Sequence, residues 1–223
     1  MTPSGLVRGL DTFVFGLLER EVAIDAIGHV AQRMRDRTFR VRWAGQVASM
    51  APYMAAPDNS LAEYLSIVQS RHYSCVLNDG ALLQIEYMIS GQRIVAHRLT
   101  YCPCPFELDL KEMGHTPLLD AIESMDISAV KDNLRLRTPV RFDFDPVNAT
   151  TSHSASHLHM ETSSCRIPVR SAVDPKTFIG FIFSNFYPSL LDDDDIKKIP
   201  SARPARTLTP AERYIPHLEW IYA

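Results

Sequence analysis

The chain has 223 residues, 46% of them hydrophobic and 22% charged, with nine glycines and fifteen prolines. That composition excludes a disordered or collagen-like chain, and the length suits one large domain or one domain with an appendage. The net charge of −3 excludes a strongly basic nucleic-acid footprint over the whole chain. Eighteen arginines stand against five lysines. Arginine is the better residue for bidentate phosphate contacts, although genomic codon bias is the simpler account of the skew. Four cysteines, Cys75, Cys102, Cys104 and Cys165, do not make a disulfide framework in a chain this long. There is no secretory leader pattern and no apolar run near the ~20 residues needed to span a bilayer. A soluble, cytoplasmic protein with no membrane partner is expected.

In chain order, Leu6, Leu10, Phe13, Val14, Leu17 and Leu18 form a helical stripe over residues 4–20, with Ser4 as N-cap. Gly5, Gly9 and Gly16 weigh against that helix. Residues 38–43 alternate as a half-exposed strand, with Phe39, Val41 and Trp43 inward and Arg40 and Arg42 outward. After a loop at 51–59, Ser60 to Glu63 reads as a capping box opening a helix through Arg71. A three-strand meander over 72–102 turns at Asn78-Asp79-Gly80 and at Ser90-Gly91.

Thr116-Pro117 predicts a short helix with Thr116 as cap. Strand character returns over 134–145, and two short strands follow at 157–161 and 165–169. Asp174-Pro175 opens a Phe-rich helix, apolar almost all round and stopped by Pro188. The acidic run Asp192–Asp195 reads as a solvated loop. The tail beyond it is proline-rich, with a turn at Thr209–Glu212 and a docking segment at Trp220-Ile221-Tyr222. The pattern predicts an α+β fold: a mainly antiparallel sheet, helices packed on one face, and a buried C-terminal Phe-rich helix. Residues 1–190 form the domain, and 191–223 an acidic loop with a proline-rich tail.

Three segments carry the chemistry. In 141–145, Phe142 and Phe144 share one strand face and Arg141, Asp143 and Asp145 the other. In 157–161, Leu158 and Met160 point inward, leaving His157, His159 and Glu161 together. In 165–169, Ile167 and Val169 inward leave Arg166 on the polar side. If the segments are sheet neighbours, these groups collect on one face within reach of His153. The apolar residues set the register, because a one-residue slip would put several of them in water.

The cluster admits two kinds of chemistry. His157 and His159 with Asp143 can act as general acid and base, with Arg141 and Arg166 clamping a phosphate. Alternatively His157 and His159, spaced i, i+2, bind a divalent metal with His153 or Asp143 as third ligand. The bland reading is an open polar sheet face of little energetic weight. Other candidates are weaker. Cys102 and Cys104 read as buried thiols, His97 and Arg93 as core-edge residues, and His29, His115 and His217 have no partner by sequence.

Arg141-Phe142-Asp143-Phe144-Asp145-Pro146, His153-x-x-x-His157-Leu158-His159, Cys165-Arg166-Ile167-Pro168-Val169, Phe178-Ile179 and Asn185-Phe186-Tyr187 together resemble the bacterial family called domain of unknown function 2290. Ser154 stands where that pattern has a proline, and Glu161 has no fixed counterpart in it. The resemblance covers the C-terminal half most closely. It implies an association of residues and no particular reaction.

Two functional expectations follow. One is a His-dependent phosphodiesterase or nuclease, a defence or toxin-type effector, acting on nucleic acid or a nucleotide with or without a divalent metal. The other is a non-catalytic subunit or scaffold of a phage-defence or toxin–antitoxin complex, docking a protein partner through the C-terminal tail.

Overall fold

One antiparallel sheet organises the computed structural model, which describes residues 1–34, 36–45, 61–108, 116–124, 134–135, 137–160, 164–190, 193–202 and 204–220. Its nine described strands are β1 (Ala23–Ala26), β2 (His29–Arg33), β3 (Thr38–Trp43), β4 (Cys75–Leu77), β5 (Leu82–Ser90), β6 (Arg93–Cys102), β7 (Val140–Phe144), β8 (Ser156–Met160) and β9 (Arg166–Pro168). The order is β1-β4-β5-β6-β7-β8-β9, and the β2–β3 hairpin joins through β3 to the far half of β5. Both expected turns form. Gly80 and Gly91 sit at φ +82° and +60°, where a side chain would be strained. The strands at 23–26 and 29–33 have no clear alternation in sequence and were not anticipated.

Helices α1 (Pro3–Glu19) and α4 (Pro175–Phe186) pack on one face of the sheet. Leu6, Leu10, Phe13, Val14 and Leu17 of α1 and Phe178, Ile179, Ile182 and Phe183 of α4 meet Leu83, Ile85, Tyr87, Leu99, Phe142 and Leu158 there. Each such burial stabilises by roughly 1.5–3 kcal/mol, so this cluster sets the strand register. Helices α2 (Leu61–Gln69) and α3 (Leu118–Glu123) form a second cluster over Val76, Leu82 and Cys102. Leu82 and Leu83 are neighbours in β5 and belong to different clusters, so the second cluster lies on the opposite face.

Several boundaries differ from expectation. The N-cap of α1 is Thr2, whose Oγ1 accepts the Gly5 N–H at 3.1 Å; Pro3 starts the helix, so Ser4 lies inside it. Pro117 itself occupies the cap of α3. The strand expected over 134–145 is confined to 140–144, because Pro139 has no N–H for a ladder. Met160 is 38% exposed where the alternation put it inward, since it ends β8.

The acidic run is no loop in its described part: Asp193–Lys198 is a short helix, α5, whose Asp195 pairs with Arg20 and, at 3.8 Å, with Lys198. Ser60, the loop 51–59, His115, Glu161, Asp192, Ile221 and Tyr222 lie outside the described residues.

The tail folds back on the body. Leu218 bridges Val169 in parallel, Arg206 bridges Ser171, and the Trp220 ring stands 5.7 Å from Phe142 and 6.3 Å from Phe181. Thr209 and Glu212 cap each other reciprocally, opening a single turn at Glu212–Tyr214. Among the described residues, no helix is long and apolar enough to cross a membrane.

Candidate active site

The face that carries α2 and α3 at one end turns polar toward β7 and β8. Because Phe142 and Leu158 are held in the core, Arg141, Asp143, His157 and His159 must point the other way. Strand pairing then sets them side by side: Arg141 opposite His159, and Asp143 opposite His157. On the outer side β9 places Arg166 opposite His159; on the inner side β6 places Arg98 opposite Asp143 and Thr100 opposite Arg141.

This face is not open. Arg141, Asp143, His157 and His159 retain 5%, 6%, 1% and 2% of their exposure. A surface Arg–Asp pair would carry little weight, whereas here the charges are desolvated and losing one partner is costly. The arginines at either side are more open: the Arg98 side chain is 41% exposed, and Arg166 is exposed as well.

Asp143 is the hub. Its Oδ2 lies 2.9 Å from Arg141 Nη2, 3.5 Å from His159 Nε2 and 4.0 Å from His157 Nε2. Its Oδ1 accepts from Arg98 Nε at 3.4 Å. Burial favours the neutral acid, but His159, Arg141 and Arg98 outweigh it and hold the carboxyl well below the usual range.

The two imidazoles face each other with Nε2 atoms 2.9 Å apart and ring centroids 4.6 Å apart. His157 Nδ1 lies 2.7 Å from the Ser154 carbonyl, which can only accept, so Nδ1 carries the proton. The Nε2 lone pair of neutral His157 therefore points to the shared centre. Burial first, then the His159 charge, push His157 down to about 4, so it is neutral at pH 7. Nδ1 of His159 is buried with no hydrogen-bond partner among the described residues.

The Asp143 oxygen and the two Nε2 atoms lie within 4.8 Å of one another, a donor group able to hold a metal ion. A carbonyl hydrogen bond on the far nitrogen of a ligand histidine is the usual way to fix its tautomer. His159 Nε2 satisfies the His157 lone pair and the Asp143 oxygen either by donating its own N–H or by sharing a metal ion with them.

Asp143, His157 and His159 share one sheet face with Arg141 and Arg166, as the strand alternation predicts. His153 stands edge-on to His157 with ring centroids 4.8 Å apart, but it is outside the converging donor group. Arg141 turns its guanidinium to Asp143. Arg98 was missed, although its signal was present: His97 and Leu99 inward leave Arg98 and Thr100 on the polar face. His29, expected to lack partners, lies 3.0 Å from both Asp11 Oδ1 and Ser74 Oγ. Ser74 is fully buried, so this Ser–His–Asp arrangement is a core network.

Sheet and cluster together define an α+β protein with a buried Asp/His/His group on the polar half of one sheet face. A family model described as "Uncharacterized conserved protein (DUF2290)" matches residues 25–220, and the chain belongs to that family. The match takes in every residue of the cluster. No curated protein and no solved structure matches the chain.

Proposed function

We propose that this protein is a phosphodiesterase acting on nucleic acid or a nucleotide, with a divalent metal held by Asp143, His157 and His159. The observation that supports it is the convergence of one carboxylate oxygen and two imidazole Nε2 atoms within 4.8 Å, buried yet flanked by exposed arginines. Two imidazoles and one carboxylate suit a zinc- or manganese-type ion, and three protein ligands leave positions for water and substrate. Such an ion supplies Lewis acidity toward a phosphoryl oxygen and lowers the pKa of a bound water.

The chain's own residues have distinct parts. Arg141 keeps Asp143 ionised, and the Ser154 carbonyl holds the His157 ring in the ligating tautomer. Arg98 and Arg166, on either side of the group, receive the non-bridging phosphate oxygens. In hydrolysis the water oxygen bonds to phosphorus and the ester P–O bond breaks. One water proton ends on the leaving alcohol and the other in solvent. A metal-free route uses the same groups: neutral His157 takes the water proton, and Arg98 and Arg166 stabilise the developing charge.

Calorimetric titration of Zn²⁺ and Mn²⁺ into the purified chain tests the metal. One site per chain is expected, weakened by roughly a hundredfold or more in H157A and H159A, because loss of even an outer partner typically costs 10–100-fold. Thermal unfolding of the variants controls for folding. Cleavage of single- and double-stranded RNA and DNA, with and without each metal, tests the reaction. No turnover on any of the four at high protein concentration overturns the enzyme and leaves the non-catalytic subunit.

A further inference from the structure

A second cationic site lies where the tail closes on the body. Arg170 follows β9, and the tail passes it twice. The Thr207 N–H donates to the Arg170 carbonyl at 2.7 Å on one side, and the Arg170 N–H donates to the Leu218 carbonyl at 2.8 Å on the other. Residues 206–218 therefore form a loop hung from both sides of Arg170. The bridges Arg206–Ser171 and Val169–Leu218 fix its two ends.

Inside that loop is a cavity of about 210 Å³ lined by Arg170, Arg206, Leu208, Arg213, His217 and Glu219. Arg170 is ion-paired with Glu219. Arg206 and Arg213 line the cavity, both exposed and without a carboxylate partner among the described residues. Water screens their mutual repulsion, and an anion seated between them is attracted by both. The volume is below the ~300–1,000 Å³ of drug-sized ligand pockets. A small tetrahedral oxyanion is the ligand that satisfies both charge and size, and guanidinium groups bind phosphate oxygens bidentately.

We infer that this cavity is a phosphate-binding site, separate from the Asp143 cluster, that takes free phosphate or the terminal phosphate monoester of a nucleotide chain. It touches the first site through one link. The Ser154 side chain helps hold the carboxyl of Glu212, beside Arg213, below its ordinary range, and the carbonyl of the same Ser154 orients His157.

The test is binding of inorganic phosphate to the full chain, read by calorimetry at constant ionic strength. Parallel arms use a 5′-phosphorylated and an unphosphorylated tetranucleotide. Saturable phosphate binding is expected, weakened at least tenfold in R206A/R213A and unchanged in R93A, an exposed arginine of β6 outside the cavity lining. Arg206 and Arg213 are exposed, so their removal leaves the fold intact, which circular dichroism checks. A tetranucleotide preference for the 5′-phosphate that vanishes in R206A/R213A assigns the nucleotide-borne source. Equal tetranucleotide binding with inorganic phosphate still retained assigns the free anion. Absence of saturable binding, or binding that R206A/R213A leaves unaltered, overturns the site without bearing on metal or turnover at Asp143.

Discussion

Gly9 and Gly16 lie in the same helix, and one added methyl group acts on them with opposite sign. A Cβ at Gly16 meets nothing within 4 Å. Gly16→Ala therefore keeps the whole propensity advantage of alanine, a gain of about 1 kcal/mol. A Cβ at Gly9 would stand 2.1 Å and 2.4 Å from Cγ and Cδ of Pro200. The proline ring is rigid and tied to the end of α5, so overlap outweighs propensity. Gly9→Ala destabilises by about 1–3 kcal/mol, in the range of overpacked cores. Urea unfolding of the two variants decides it, and a Gly9→Ala as stable as Gly16→Ala would show that α1 does not bear on Pro200. The glycines that weakened the helix in sequence are thus of two kinds, and only one of them is a packing requirement.

At the scale of elements, α4 depends on a single carboxylate. Asp174 is fully buried and accepts from the Thr177 N–H at 2.7 Å, the Ser201 hydroxyl at 2.8 Å and the Ala202 N–H at 2.6 Å. It therefore caps the central helix and pins the chain leaving α5 to it. Asp174→Ala removes a cap worth about 1 kcal/mol and orphans buried donors at about 1–3 kcal/mol. A loss of about 3 kcal/mol is expected in chemical unfolding, with Asp174→Asn recovering part of it through its remaining carbonyl oxygen. A loss under about 0.5 kcal/mol, the size of an ordinary surface change, would mean that the three donors find other partners. The strands obey a comparable economy. Phe142 lies under Phe178, Phe181 and Trp220, and that one side chain holds Arg141 and Asp143 on the opposite face.

The whole molecule carries buried neutral histidines that make its stability pH-dependent. His97 joins β6 to β7 and to the approach of α4: its Nδ1 faces the Phe142 carbonyl at 3.3 Å, and its Nε2 accepts the Val173 N–H at 2.8 Å. His72 accepts from Gln84 beside α2. Burial pushes both down to about 4 from the ordinary 6.5. The unfolded chain takes up these protons near 6.5 and the folded chain only near 4. Stability is therefore complete above about pH 6.5 and falls as pH drops toward 4, by about 1.4 kcal/mol per pH unit for each histidine. Gln at position 97 can donate to Phe142 and accept from Val173 without titrating. His97→Gln is expected to flatten the pH slope of unfolding by about one proton, and an unchanged slope would mean that His97 is already charged in the fold.

Alternation within a strand is a local property, so it was legible without the fold. Phe142, Phe144, Leu158 and Ile167 demand one face, and Arg141, Asp143, His157, His159 and Arg166 are left sharing the other whatever they do. The α+β class, both glycine turns and the Phe-rich helix rest on equally local signals. What lies beside a strand, and what covers it, depends on contacts distant in sequence. Arg98 reaches Asp143 across 45 residues of chain, and no local pattern states that β6 rather than another strand flanks β7. Burial of the cluster, the choice of Asp143 over His153 as the third converging group, and the loop closing around Arg170 were decided the same way. The apolar residues choose the face at ~2 kcal/mol apiece. The packing of distant segments then buries that row of polar side chains, so that Arg141 and Arg98 hold the Asp143 carboxylate ionised while burial keeps His157 neutral.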